Sequence, residues 1–306
     1  MSIRCRLRHV AILLSLVPGA VPADDFAMTE VAPGIFVHEG REVGIQDPAR
    51  GDSANIGFIV GTKCAAVIDP GGSIATGRRL RDALRARTTL PVCYVIDTHV
   101  HFDHLLGNAA FSVDRPSFVG HAELPAALAG SRDYFLEEFA KELEGVPTDA
   151  AIVVPERTVQ GEQRLDLGER EIVLVANPTA HTNCDLTVYD AKTQTLWASD
   201  LVFSGRLPVL DGSLRGWLRW MDENEARPYQ RVVPGHGPAT LPWPAGARPQ
   251  HDYLAKLLGD TQAAVKAGTF LEDAVQAAAA APPPGWRLTE PHARNTSRAY
   301  RELEWQ

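Results

Sequence analysis

Apolar residues along this chain recur first with a period of two and then with helical spacing, and the switch repeats down its length. Residues 34–38 read as a strand. Asn55-Ile56-Gly57-Phe58-Ile59-Val60 and Ala65-Ala66-Val67-Ile68-Asp69 read as two arms of a hairpin turning at Gly61-Thr62-Lys63. Leu80, Ala83 and Leu84 fall on one face of a helix over 74–87, and Pro91 restarts the chain as another strand. A strand at 117–120 follows, then helical stretches at 122–129 and 133–143. The second half repeats the theme, with strands at 163–167, 171–175, 185–189 and 195–198, a helix over 213–225 and a strand at 231–233. This order predicts an α/β fold of two mixed β-sheets faced by helices, an αβ/βα sandwich. Residues 239–249, rich in Pro and Ala, read as a linker, and Pro282-Pro283-Pro284-Gly285 separates the last two helical segments. About 60 residues of Ala-rich helix make a poor core alone, so the tail from about 249 to 306 is expected to pack on a single domain spanning 24–306.

Composition adds a location and removes some partners. Arg4, Arg6 and Arg8, the apolar run from Val10 to Val17, and Val21-Pro22-Ala23 before Asp24 make residues 1–23 a secretory signal peptide. A periplasmic or secreted protein is expected. No stretch reaches the roughly 18 uncharged apolar residues that a membrane span needs. Removing three arginines and no acid takes the formal charge from −8 to −11, which argues against a nucleic-acid surface. Cys64, Cys93 and Cys184 remain after cleavage, an odd number that implies no disulfide framework. Cys64 and Cys93 read as small buried hydrophobes in apolar runs, and Cys184 as a packing residue near a histidine-bearing loop.

The chemistry concentrates in Asp97-Thr98-His99-Val100-His101-Phe102-Asp103-His104. Three imidazoles and a carboxylate within six residues are a metal-site density and not a core pattern. Alternation puts His99 and His101 on one side of an extended segment, while Asp103 and His104 sit where the chain turns, so one loop can feed two adjacent metals. Further donors follow other strand-like runs: His181 after 171–175, Asp200 after 195–199, and His236 in Val232-Val233-Pro234-Gly235-His236-Gly237. Loops at the ends of several strands converge on one rim of a sheet-based fold.

His-x-His-x-Asp-His followed in order by His181, Asp200 and His236 makes the chain resemble the metallo-β-lactamase-fold hydrolases. That resemblance implies a four-layer αβ/βα sandwich and two Zn2+ ions, with iron and manganese also suited to the same donors. By it, His99, His101 and His181 hold one metal, Asp103, His104 and His236 the other, and Asp200 bridges them. The commoner zinc β-lactamases place Cys or Ser where Asp200 stands, so the pattern is more similar to glyoxalase II and the lactonases. Val31-Ala32-Pro33-Gly34-Ile35-Phe36-Val37, Asp211-Gly212-Ser213-Leu214-Arg215-Gly216-Trp217 and the tail 295–304 most resemble the quinoprotein relay system zinc metallohydrolases. That branch is periplasmic and accompanies pyrroloquinoline quinone-dependent dehydrogenases.

The chemistry so implied is attack of a metal-bound hydroxide on a small ester, thioester, lactone or similar carbonyl substrate. Asp103 could accept a proton from the bridging water. Asp69 and Asp97, at strand ends, either orient imidazoles or simply cap their loops. Arg206 is the candidate for meeting an anionic group of the substrate, whereas Trp217, Leu218 and Trp220 read as the core face of an amphipathic helix. His121 reads as a residue that starts the helix or supports a ligand from behind and not as a ligand itself, and His38, His251 and His292 have no partner cluster. Two other readings stand beside the hydrolase: a β-lactamase-like or mononuclear iron, persulfide dioxygenase-like enzyme, and a metal or quinone-cofactor carrier. Metal counting separates the second from the first, and co-purification of a dehydrogenase or quinone would favour the third.

Overall fold

The computed structural model describes residues 26–145 and 148–305, so the signal-peptide reading of 1–23 lies outside the described residues. Seven strands form the first sheet in chain order: β1 (Met28–Ala32), β2 (Ile35–His38), β3 (Ile56–Val60), β4 (Ala65–Ile68), β5 (Val92–Ile96), β6 (Ser117–His121) and β7 (Arg157–Val159). Pairing is antiparallel from β1 to β4 and parallel from β4 to β7. The second sheet comprises β8 (Glu162–Asp166), β9 (Glu171–Ala176), β10 (Leu186–Asp190), β11 (Thr195–Phe203), β12 (Arg231–His236) and the short β13 (Leu241–Pro242). Only β11 and β12 run parallel there.

Four layers follow from which faces are apolar. Ala66 and Ile68 of β4 point with Ile35, Val37, Ile59 and Ile96 toward Ile172, Leu174, Val188 and Trp197 of the opposite sheet, forming the central core. Ala65 and Val67 point the other way, with Phe58 and Val95, onto Leu80 and Leu84 of α1 (Ile74–Arg85). A strand covered on both faces reads as a continuous apolar run, which is why Ala65-Ala66-Val67-Ile68 shows no polar alternation. Outside the second sheet, α5 (Leu214–Glu225) contributes Trp217, Leu218 and Trp220, and the tail helices α6 (Arg248–Lys266) and α8 (Pro291–Leu303) contribute Tyr253, Leu254, Leu257 and Ala299 to the same cluster. The expected core-facing positions of α5 are thus in the core. The short α2 (Phe102–Leu105) packs on α3 (Leu124–Glu138) and α4 (Thr148–Ala151) through Leu105, Phe135, Phe139 and Ala151. Helix α7 (Leu271–Ala280) lies against α8 and buries none of its own residues. Among the described residues no helix is long and apolar enough to cross a membrane.

Four local expectations need correction. The helical stretches 122–129 and 133–143 are one helix ending at Glu138, because Gly130 faces open space and costs only about 1 kcal/mol there. The 239–249 linker contains β13, whose Leu241 pairs with Val232. Asp200 does not end its strand, since β11 runs on to Phe203 through an irregularity at Ser199, where φ is +48°. Cys64 and Cys93 are not separate hydrophobes but a disulfide, with Cα atoms 5.8 Å apart. Parallel pairing of β4 with β5 sets Ala65 opposite Val92 and so brings both cysteines within bonding reach. Cys184 is free and buried.

Candidate metal centre

Parallel strands aim their C-terminal ends at one rim, and the candidate ligands gather there. The loop after β5 carries His99 and His101, and α2, which starts just after His101, carries Asp103 and His104. His181 follows β9, Asp200 sits in the irregular stretch of β11, and His236 ends β12. The donor atoms of His99, His101, His181 and Asp200 lie within 4.8 Å of one another, as do those of Asp103, His104 and His236. Asp200 faces both groups. Its Oδ2 is 3.5 Å from His99 Nε2 and 3.3 Å from His181 Nε2, and its Oδ1 is 3.1 Å from His104 Nε2 and 3.5 Å from His236 Nε2.

The second nitrogen of every ring is occupied. His101 Nε2 donates to Asp211 Oδ2 at 2.9 Å, His104 Nδ1 to Asp69 Oδ2 at 2.8 Å, His181 Nδ1 to the Val209 carbonyl at 2.7 Å and His236 Nδ1 to the Ser53 carbonyl at 2.9 Å. His99 Nδ1 lies 3.0 Å from Thr98 Oγ1, whose own proton goes to Asp69. With acceptors on the outer nitrogens, the inner nitrogens are the ones turned to the centre. His101 Nδ1 and His181 Nε2 face each other at 3.0 Å. The Nε2 atoms of His99 and His104 and Oδ1 of Asp200 are buried with no hydrogen-bond partner, a costly state that a coordinated cation relieves. The donor set fits metal.

Protonation tells the same story. Burial, followed by the neighbouring His104, holds the His99 ring neutral, well below the usual imidazole range. Against burial, His104, His236 and His99 keep the Asp200 carboxyl ionised, well below the usual carboxylate range. Against burial, His104 and His236 also lower Asp103. His104 goes the other way, raised well above its usual range, because Asp200, Asp69 and Asp103 outweigh its burial. A cation binding at its Nε2 therefore displaces a proton.

The two strand-end aspartates part company. Asp69 takes φ +54° and accepts from Thr98 N at 2.9 Å, Thr98 Oγ1 at 2.8 Å and Ser199 Oγ at 3.0 Å in addition to His104. Asp97 touches no imidazole; Asn108 Nδ2 donates to it at 2.8 Å, and burial pushes its carboxyl well above the usual range. Arg206 lines the cavity over the site, with Nη1 3.4 Å from His236 Nδ1 and a buried Nε that has no partner. His121 stands apart from the cluster and accepts from Glu123 N at 3.0 Å. Cys184 packs beside Leu105 and Leu124, its thiol pushed up to about 12 by burial. Ser53 and Val209 escaped the sequence reading because they act through backbone carbonyls, which no residue type announces. Ser53 also donates its hydroxyl to Asp103 Oδ2 at 2.9 Å. Asp211 carries a signal only through its place in a segment after Asp200.

The cavity holds about 890 Å³. Val43, Ile45, Phe102, Tyr134 and Phe135 give its lining an apolar part, and Asp103, Asp200 and His236 line it too. Such a space, apolar with a few convergent polar groups, suits a small organic ligand.

Comparison with known proteins places this fold. A metallo-beta-lactamase from Pontibacter korlensis superposes with a TM-score of 0.61 at 18% identity, over 75% of this chain and 98% of the other. The metallo-beta-lactamase IND-7 gives a TM-score of 0.58 at 18% identity, over 76% and 98%, and TMB-1 gives 0.59 at 18%, over 75% and 97%. At that identity the likeness is one of fold. No curated protein matches the sequence closely enough to count as a relative. The family model of the metallo-beta-lactamase superfamily matches residues 49–236, a span that begins just before Ser53 and ends on His236. With more than half of its length matched and every candidate ligand inside the match, the chain belongs to the metallo-beta-lactamase superfamily, whose members are typically metal-dependent hydrolases.

Proposed function

We propose that this protein is an exported dinuclear zinc hydrolase of a small ester, thioester or lactone. The observation that carries the reading is Asp200, which turns one carboxylate oxygen to His99 and the other to His104, whose Nε2 atoms are buried with no hydrogen-bond partner. Bound cations supply Lewis acidity and a nucleophile drawn from water near neutral pH. The chain's own residues do the rest. His99, His101 and His181 would hold one ion and Asp103, His104 and His236 the other, with Asp200 placed to serve both. Asp103, whose Oδ2 accepts from Ser53 Oγ, is the carboxylate of the second group, lines the cavity, and would be the group to accept a proton from water there. The apolar part of the lining holds the acyl portion of the substrate and excludes water, and Arg206 meets an anionic substituent.

Export is supported by the Cys64–Cys93 disulfide, a bond favoured in oxidising compartments. A role beside a periplasmic quinoprotein dehydrogenase rests on the resemblance of the segments at 31–37, 211–217 and 295–304. Elemental analysis of the purified protein, with hydrolysis of thioesters, lactones and β-lactams before and after chelation, tests the proposal. Two zinc ions per chain with chelator-sensitive turnover of an ester, thioester or lactone are expected. One iron per chain would favour the dioxygenase chemistry, turnover of β-lactams alone a lactamase, and two metals with no turnover a carrier.

A further inference from the structure

We propose that the last helix, α8, is a positioning element of the metal centre, holding His101 through Asp211; this rests on the metal-site reading above. Helix α8 lies beyond the residues 49–236 that match the superfamily. Between β11 and α5, the loop 204–213 has little regular structure of its own. It nonetheless completes two imidazoles, through the Val209 carbonyl on His181 and the Asp211 carboxylate on His101.

That loop is gripped from two sides. Asp211 N and Gly212 N donate to the His181 carbonyl at 3.0 and 2.6 Å, and Ser213 N to the Ala180 carbonyl at 2.8 Å. Helix α8 supplies the other side. The buried Asn295 accepts from Leu210 N at 2.9 Å and donates to the Pro208 carbonyl at 2.7 Å. Arg298 donates to the Asp211 carbonyl at 2.6 Å, and Arg294 pairs with Asp211 Oδ1. Glu302 accepts from Ser213 Oγ at 2.8 Å and Leu214 N at 2.7 Å, tying the helix to the start of α5. One oxygen of Asp211 therefore faces His101 and the other faces Arg294.

His101 needs this support more than its neighbours do. Its side chain is 24% exposed, against 0–4% for the other four imidazoles of the centre. Close packing fixes those rings. His101 is fixed by Asp211 on one nitrogen, and Asp211 by α8.

The test is zinc titration of the metal-free full chain against a competing chromophoric chelator, with thermal unfolding alongside. In Asp211→Ala, one of two zinc sites is expected to weaken about 10- to 100-fold, the usual cost of losing a partner that orients a ligand, while the other keeps its affinity. Arg294→Ala weakens the same site several-fold, and Arg294→Lys restores it. The visible spectrum of the cobalt-substituted protein changes at that one site, and the melting temperature stays near wild type. Wild-type affinity at both sites in Asp211→Ala and Arg294→Ala overturns the positioning role. Equal weakening of both sites together with a lowered melting temperature overturns it too, since α8 would then be only structural. A wild-type chain that binds no zinc overturns the metal-centre reading itself, and this inference with it.

Discussion

Gly235, one residue before His236 in β12, passes so close to Asp200 that a Cβ added there would overlap the carboxylate Oδ1 and lie 2.8 Å from Asp200 N. Ordinary van der Waals contact begins at 3.4 Å. Gly235 is not among the glycines with positive φ, so its backbone conformation admits alanine, and the conflict is with Asp200 and the Ser199 carbonyl carbon just before it, also 2.8 Å away. Clearing the overlap moves the carboxylate by roughly 1 Å or more, beyond the about 0.5 Å within which a catalytic constellation must be held. A misplacement of that size costs about 100-fold in rate. Overpacking of this kind also destabilises by about 1–3 kcal/mol. Gly235→Ala is therefore expected to lose bound metal and about two orders of magnitude in kcat/KM while still folding. Elemental analysis after gel filtration, kinetics on the substrate class identified, and thermal unfolding measure the three effects. Gly259→Ala is the control, because a Cβ there meets nothing within 4 Å in α6, and it should leave metal and activity unchanged. A folded Gly235→Ala protein with full metal content and wild-type turnover would refute the claim that Asp200 is held in place against this glycine.

Replacing Cys64 and Cys93 by serine opens a bridge across 29 residues and should cost about 3–4 kcal/mol in urea unfolding if chain entropy dominates; an unchanged midpoint would show that the bond contributes nothing. The Cys184 thiol, raised to about 12 by burial, stays protonated at ordinary pH, so it should resist Ellman's reagent until denaturant is added. Its contribution to stability is whole below the ordinary thiol range and falls as pH rises from there toward 12. The guanidinium of Arg170 is paired through two nitrogens with Asp190, each contact 2.9 Å, and its Nη1 donates to the carbonyls of Val60 in β3 and of Pro33 in the turn between β1 and β2. Asp190→Ala leaves that cation buried and unpaired and should cost about 3–5 kcal/mol; a loss well under this range would mean that solvent reaches the arginine.

What was legible in the sequence was local or cumulative. The 97–104 loop declares itself because its donors are neighbours in the chain, and the two-sheet order follows from hydrophobic periods that report burial within each element. The apolar run of β4 likewise announces a strand covered on both faces. Tertiary structure decided whatever depends on which strands lie side by side. Asp69 and Asp97 both follow apolar strands, yet only Asp69, past β4, reaches His104. Cys64 and Cys93 look like separate core residues until the parallel pairing of β4 with β5 makes them partners. Ser53 serves His236 through a carbonyl, and Asp211 serves His101 from a loop that α8 holds. Periodicity records which face of an element is buried but not what it is buried against, so the candidate ligands could be named from the chain, while which groups reach their outer nitrogens was decided by the packing of the two sheets and the final helix.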